Sequence, residues 1–143
     1  MLNFPTESNT AQVTEMKKAI VCVDDEAAIL SALQQQMMRA FGNQYLFEFA
    51  ESGKEAIEVV HELIDSEYII HAIITDEMMP DMRGHQLIAE VTQISPTTRF
   101  VLLTGYIDTK VEDDIKANSK VIYLTKPWEF NDLIEALEDI GRG

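Results

Sequence analysis

Short apolar runs rich in β-branched residues alternate, from Lys18 to Ile140, with stretches whose apolar residues recur every three or four positions. The first pattern predicts strands and the second predicts helices. Strand-like runs lie at 19–23, 45–50, 71–75, 100–103 and 121–124. Between and after them, helical stripes are carried by Ile29, Leu30, Leu33, Met37 and Phe41; by Ile57, Val60 and Ile64; by Leu87, Ile88, Val91 and Ile94; by Val111 and Ile115; and by Phe130, Leu133, Ile134, Leu137 and Ile140. Gly42-Asn43 stops the first helix, Ser52 and Glu55 form a capping-box pattern at the start of the second, and Pro96 follows the third. Strands this apolar on both faces suit a parallel sheet covered on each side by helices, an α/β doubly wound fold. Periodicity leaves the strand order open. Residues 1–17 show no sustained period and are expected to be a flexible N-terminal extension, with one domain over 18–143.

In such a sheet, ligands bind beyond the carboxyl ends of the strands. Polar residues collect there. Asp24 and Asp25 end the first strand, Asp76 the third and Thr104 the fourth, and Lys126 follows the fifth. A lone Asp after a strand is commonly a helix cap. Three carboxylates, a hydroxyl and a lysine at one edge are a different matter. Clustered carboxylates repel unless a cation joins them, and an all-oxygen acidic site suits Mg²⁺, which also binds phosphate oxygens. A carboxylate can act as a nucleophile toward phosphorus, and phosphoryl transfer needs mainly positioning and charge stabilisation.

Composition narrows the function classes. There are 25 acidic and 11 basic residues, a formal net charge of −14, which disfavours binding to nucleic acid or anionic lipid. Cys22 is the one cysteine, so no disulfide can form within the chain. No run reaches the length of a membrane span, and the start lacks the apolar segment of a secretory signal. A cytoplasmic location is expected. His61, His71 and His85 lack mutual metal-ligand spacing and read as ordinary histidines.

Taken in order, Val23-Asp24-Asp25-Glu26, Thr75-Asp76-Glu77-Met78-Met79-Pro80 with Gly84, Leu103-Thr104-Gly105 and Tyr123-Leu124-Thr125-Lys126-Pro127 resemble the receiver domains of two-component response regulators, including the chemotaxis regulators. The resemblance covers about 18–140. It implies a flavodoxin-like (βα)5 fold with strand order 2-1-3-4-5, and often a cis bond between Lys126 and Pro127. Asp76 then matches the phosphoacceptor, assisted by Thr104 and Lys126. Asp24, Asp25, Asp76 and the Met78 backbone carbonyl match the Mg²⁺ site, with Asp25 a more direct ligand than Asp24. Thr104 and Tyr123 match the switch residues. The partners implied are a sensor histidine kinase or phosphotransfer protein, and an output domain or a second copy that reads the surface of the fourth helix, fifth strand and fifth helix. The bulky Met78 and Tyr106 imply slow hydrolysis of the phosphoryl group. Such a domain catalyses only its own phosphorylation and dephosphorylation.

Two other readings compete. One is a receiver-like scaffold that works without phosphorylation, against which the intact pocket counts. The other is a phosphatase with an aspartyl nucleophile. Such enzymes usually carry a second Asp two residues after the first, where this chain has Met78. A dinucleotide site is weaker still, because no glycine-rich loop follows the first strand.

Overall fold

The computed structural model describes residues 17–105 and 120–142. Five strands, β1 (Lys18–Val23), β2 (Leu46–Ala50), β3 (Ile69–Asp76), β4 (Arg99–Thr104) and β5 (Val121–Thr125), form one sheet in the order β2-β1-β3-β4-β5. All neighbouring strands are parallel. Four helices lie within the described residues: α1 (Ala27–Phe41), α2 (Gly53–Asp65), α3 (Gly84–Ile94) and α4 (Phe130–Arg142). The helix expected around Val111 and Ile115, and residues 1–16 of the N-terminal extension, fall outside them. So does Tyr106. The helix expected last in the sequence is therefore α4.

The central strands are apolar on both faces because both faces are covered. Val21, Val23, Ile73, Phe100 and Leu102 pack with α2 and α3. Ile20, Cys22, Ile74, Val101 and Leu103 pack with α1 and α4. The stripes of α1 and α3 bury as their periodicity predicts. In α2 the buried stripe is shifted. Ala56, Val60 and Leu63 point inward, Ile57 is half-buried and Ile64 is exposed. Small residues let α2 approach the sheet, so Ala56 takes the place that a ranking by side-chain size gives to Ile64. A register shift between Ala19 and Ile20 accommodates an extra residue of β3 at His71, and Ile69 and Ile70, which precede the predicted run, pair with Lys18 and Ala19.

Local signals set the ends of the helices. Gly42 takes φ 56° and its N–H closes onto the Met38 carbonyl at 3.0 Å, a conformation that glycine adopts at little cost. Ser52 Oγ accepts the Glu55 N–H at 3.1 Å. The reciprocal half of the predicted capping box differs, since Glu55 Oε1 accepts the N–H of Glu51 instead.

A further cap comes from far along the chain. Asp81, in the loop after β3, accepts the N–H of Gly53 at 3.1 Å and of Lys54 at 2.8 Å. The loop sits tightly here, for a Cβ on Gly53 would lie 2.4 Å from Met82 Cγ. Slight burial of Asp81 works against its charge, but the N–H groups of Lys54, Gly53, Asp81 itself and Met82 outweigh it and hold the carboxyl below the usual range. Asp81→Ala is expected to destabilise the fold by about 1 kcal/mol, as for loss of a helix cap. A depressed carboxyl pKa adds stability above its unfolded value and loses it as the pH falls through the folded value. The deficit of the variant in urea unfolding should therefore be full at neutral pH and shrink in acid, and a deficit independent of pH would contradict this assignment.

Candidate functional site

The parallel sheet brings the carboxyl ends of β1, β3, β4 and β5 to one edge, and the residues singled out in the sequence meet there. Asp24, Asp25 and Asp76 each offer a carboxylate oxygen within 4.8 Å of the others. Asp24 and Asp76 are buried and Asp25 is exposed. Lys126 crosses from the end of β5, with Nζ 2.8 Å from Asp24 Oδ2, 3.3 Å from Asp76 Oδ1 and 3.8 Å from Glu26 Oε1. Asp24 is further held by the N–H of Glu26 at 2.8 Å, and its own N–H donates to the Ala50 carbonyl. Thr104 is buried at the end of β4, beside Thr125 in register, and its carbonyl accepts the Lys126 N–H at 2.8 Å.

The balance of charge matters more than any one contact. Burial raises the Asp76 carboxyl, and the Lys126 charge offsets this in part. Asp24 raises it further, while hydrogen bonds from Lys126 and the Met78 N–H lower it, leaving it above the usual carboxylate range. Burial opposes the Lys126 charge, yet the Asp24 hydrogen bond and the charges of Asp24 and Asp76 hold the ammonium above the ordinary lysine value. Both directions describe a cluster with more carboxylate than ammonium. That excess, with hard oxygen donors on three residues, fits a divalent cation such as Mg²⁺.

The loop after Asp76 is tied on several sides. Glu77 donates its N–H to Leu103 O at 3.2 Å, and its carbonyl accepts the Gly84 N–H at 2.9 Å. Met78 and Arg83 form an isolated antiparallel bridge. Gly84 lies so close to β3 that a Cβ there would be 2.3 Å from the Asp76 carbonyl oxygen. The Lys126–Pro127 peptide is cis. Tyr123 is half-buried against the core on the α2 and α3 side.

These features belong to a known group. The profile of the response regulator receiver domain matches residues 20–138. The chain belongs to this family. As a receiver domain of a two-component system it is a signalling module. It is 31% identical over 122 residues to an uncharacterized transcriptional regulatory protein, YesN, of Bacillus subtilis, a match covering 85% of this chain and 32% of YesN. It is 27% identical over 128 residues to the chemotaxis protein CheY of Thermotoga maritima, covering 89% of this chain and all of CheY. Among solved structures, the signal receiver domain of an HD domain-containing protein from Pseudomonas fluorescens Pf-5 superposes with a TM-score of 0.75 at 28% identity, over 88% of each chain. The receiver spans about a third or less of the longer regulators and the sensor kinase that it matches. No helix among its described residues is long and apolar enough to cross a membrane.

Sequence reasoning missed four partners. His85 is partly exposed, and its Nδ1 lies 2.7 Å from Glu77 Oε2. Glu77 itself is buried, against the expectation for a loop glutamate. Asp81 reaches α2, as described. The indole N–H of Trp128 donates to Gln36 Oε1 at 2.8 Å. Trp128 is half-buried and, with Ile29, Gln36, Lys126 and Pro127, lines a cavity of about 410 Å³ beside the site. Each link joins residues far apart in the sequence or across a loop, beyond the reach of local patterns. His71 is half-buried, stacks on Tyr45 with ring centroids 5.0 Å apart, and its Nε2 has no hydrogen-bond partner among the described residues. Burial lowers its pKa first, the Leu137 backbone raises it and Lys18 lowers it again, so the imidazole stays below its ordinary value.

Proposed function

We propose that this domain, over residues 18–143 with 1–17 as an extension, accepts a phosphoryl group on Asp76 from a sensor histidine kinase or phosphotransfer protein. The observation that supports this most is the convergence of Asp24, Asp25, Asp76 and Lys126 at one strand edge with Thr104 beside them. A carboxylate oxygen of Asp76 attacks phosphorus. The bond from phosphorus to the donor nitrogen breaks as the aspartyl O–P bond forms, and the departing imidazole takes up a proton. Lys126 pairs with the new negative charge and Thr104 donates a hydrogen bond to a phosphoryl oxygen. Asp25, Asp76 and the Met78 carbonyl would hold Mg²⁺, with Asp24 at its side. When bound, the ion neutralises charge on the carboxylates and the phosphoryl oxygens.

Phosphorylation then adds charge where Thr104 and Tyr123 can follow it, and the surface around β5 and the adjoining helices changes for an output domain or a second copy. The work takes place in the cytoplasm. The domain acts on no separate substrate beyond its phosphodonor.

Trp128 lies two residues from Lys126 and lines the same cavity, which makes its fluorescence the probe of choice. A Mg²⁺ titration followed by its fluorescence should saturate for the wild-type chain, and beryllofluoride should give a further change only with Mg²⁺ present. Asp25→Asn is expected to weaken Mg²⁺ binding at least about ten-fold, because it removes a carboxylate offered directly to the ion. Unchanged affinity in that variant would remove Asp25 from the site.

A further inference from the structure

Glu77 stands between Asp76 and Met78, the two neighbours assigned to the phosphoryl site, and it is tethered through both its backbone and its side chain. Its side chain is only 7% exposed. One residue satisfies both carboxylate oxygens. Oε1 accepts the His85 N–H at 3.0 Å, and Oε2 meets His85 Nδ1 at 2.7 Å. Its own N–H and carbonyl are bound to Leu103 and Gly84. Glu77 thus joins the ends of β3 and β4 to the first turn of α3.

Burying a carboxylate is costly unless its oxygens are satisfied. Here they are satisfied in one geometry, because the backbone N–H and the ring of His85 fix the carboxylate plane between them. An apolar side chain would fill the space without desolvation cost, but it would lose the link to His85 and leave residue 77 held by its two backbone hydrogen bonds alone. The backbone here matters. The Asp76 carbonyl lies against Gly84, and Met78, the next residue along, carries the carbonyl assigned to the ion.

We propose that Glu77 and His85 form a positioning pair for phosphoryl transfer, which fixes the backbone between Asp76 and Met78 and so aims the Met78 carbonyl at the divalent ion. The inference rests on the reading of Asp76 as phosphoacceptor. Partners that orient ligands in this way typically account for about 10- to 100-fold in metal affinity or activity. Glu77→Gln separates positioning from charge. Its carbonyl can accept the His85 N–H, and its amide can donate to Nδ1 of the neutral ring.

The test uses the full chain as wild type, Glu77→Leu, Glu77→Gln, His85→Leu and the Glu77→Leu/His85→Leu double variant. Val60→Ala, on the core-facing side of α2, serves as a control for lost stability. Mg²⁺ affinity is read from Trp128 fluorescence, phosphorylation by acetyl phosphate from intact mass, and stability from urea unfolding. Glu77→Leu and His85→Leu should each weaken Mg²⁺ binding about ten-fold or more. The double variant should lose little beyond either single one, since both act through one contact. Glu77→Gln should stay close to wild type, and Val60→Ala should lose stability but not affinity.

Wild-type affinity and phosphorylation in Glu77→Leu would overturn the proposal, as would a loss in Glu77→Gln equal to that in Glu77→Leu. If Glu77→Leu does not fold, unchanged affinity in His85→Leu has the same force. A wild-type chain that binds no Mg²⁺ and takes no phosphoryl group would overturn the phosphoacceptor reading instead, and the positioning role with it.

Discussion

Lys126→Met is expected to slow phosphorylation of Asp76 by about two to three orders of magnitude, the loss typical when a donor aimed at developing charge is removed. The geometry gives the reason. Nζ is shared between Asp24 Oδ2 at 2.8 Å and Asp76 Oδ1 at 3.3 Å, so the ammonium already sits beside the oxygen that would carry the phosphoryl group. Methionine keeps the length of the stem and removes the charge. The same change should destabilise the fold, because Asp24, 1% exposed, loses its cation. Breaking a buried pair from one side costs about 3–5 kcal/mol. Access of water to Asp25 and Glu26 places the expected loss at the lower end of that range. Urea unfolding should show the deficit without Mg²⁺ and a smaller one with it, because a dication restores part of the missing charge. A phosphorylation rate within about three-fold of wild type would remove Lys126 from the mechanism.

Gly84→Val is expected to damage fold and site together. Two of the three contacts at this position, the shortest among them, are with backbone. A Cβ would lie 2.3 Å from the Asp76 carbonyl oxygen, 2.8 Å from Leu102 Cδ1 and 3.0 Å from Glu77 Cα. Either α3 moves off the sheet or the end of β3 shifts. Overpacking of this kind costs about 1–3 kcal/mol for small insertions. The two extra methyl groups place Val at or above the upper end, a large part of the roughly 5–15 kcal/mol that holds a domain together. Because the obstacle is the peptide that carries Asp76, phosphorylation should fall even in the folded fraction. Gly84→Ala should show the same two effects at smaller size. Wild-type stability for Gly84→Val in urea unfolding would show that the approach of α3 is not as close as the geometry requires.

The parts of this molecule legible in its sequence are those governed by local pattern. Two-sided burial of the sheet makes the strands continuous apolar runs, and the core-facing stripes of α1 and α3 follow from helical spacing. Strand order did not come from periodicity, since either face of an apolar strand accepts either neighbour. It came from resemblance, and the sheet has that order. The acidic cluster was legible because parallel topology forces the strand ends together. Long-range polar pairings were not. Nothing local tells that Asp81 caps α2 or that Glu77 turns inward to meet His85, because each choice depends on a partner placed by the folded chain. The shifted stripe of α2 illustrates the same limit in the core. Ala56 and Gly53 bury because the sheet and Met82 come close, and their small size, a weak hydrophobic signal, is what allows it.

The most direct test of phosphoryl acceptance is the intact mass of the wild-type chain after incubation with acetyl phosphate and Mg²⁺, beside Asp76→Asn. A single phosphoryl adduct on the wild type, absent from the variant and from a wild-type sample without Mg²⁺, is the predicted result. An adduct that persists in Asp76→Asn, or a wild-type chain that takes up neither the phosphoryl group nor beryllofluoride, would contradict the assignment of Asp76 as the acceptor.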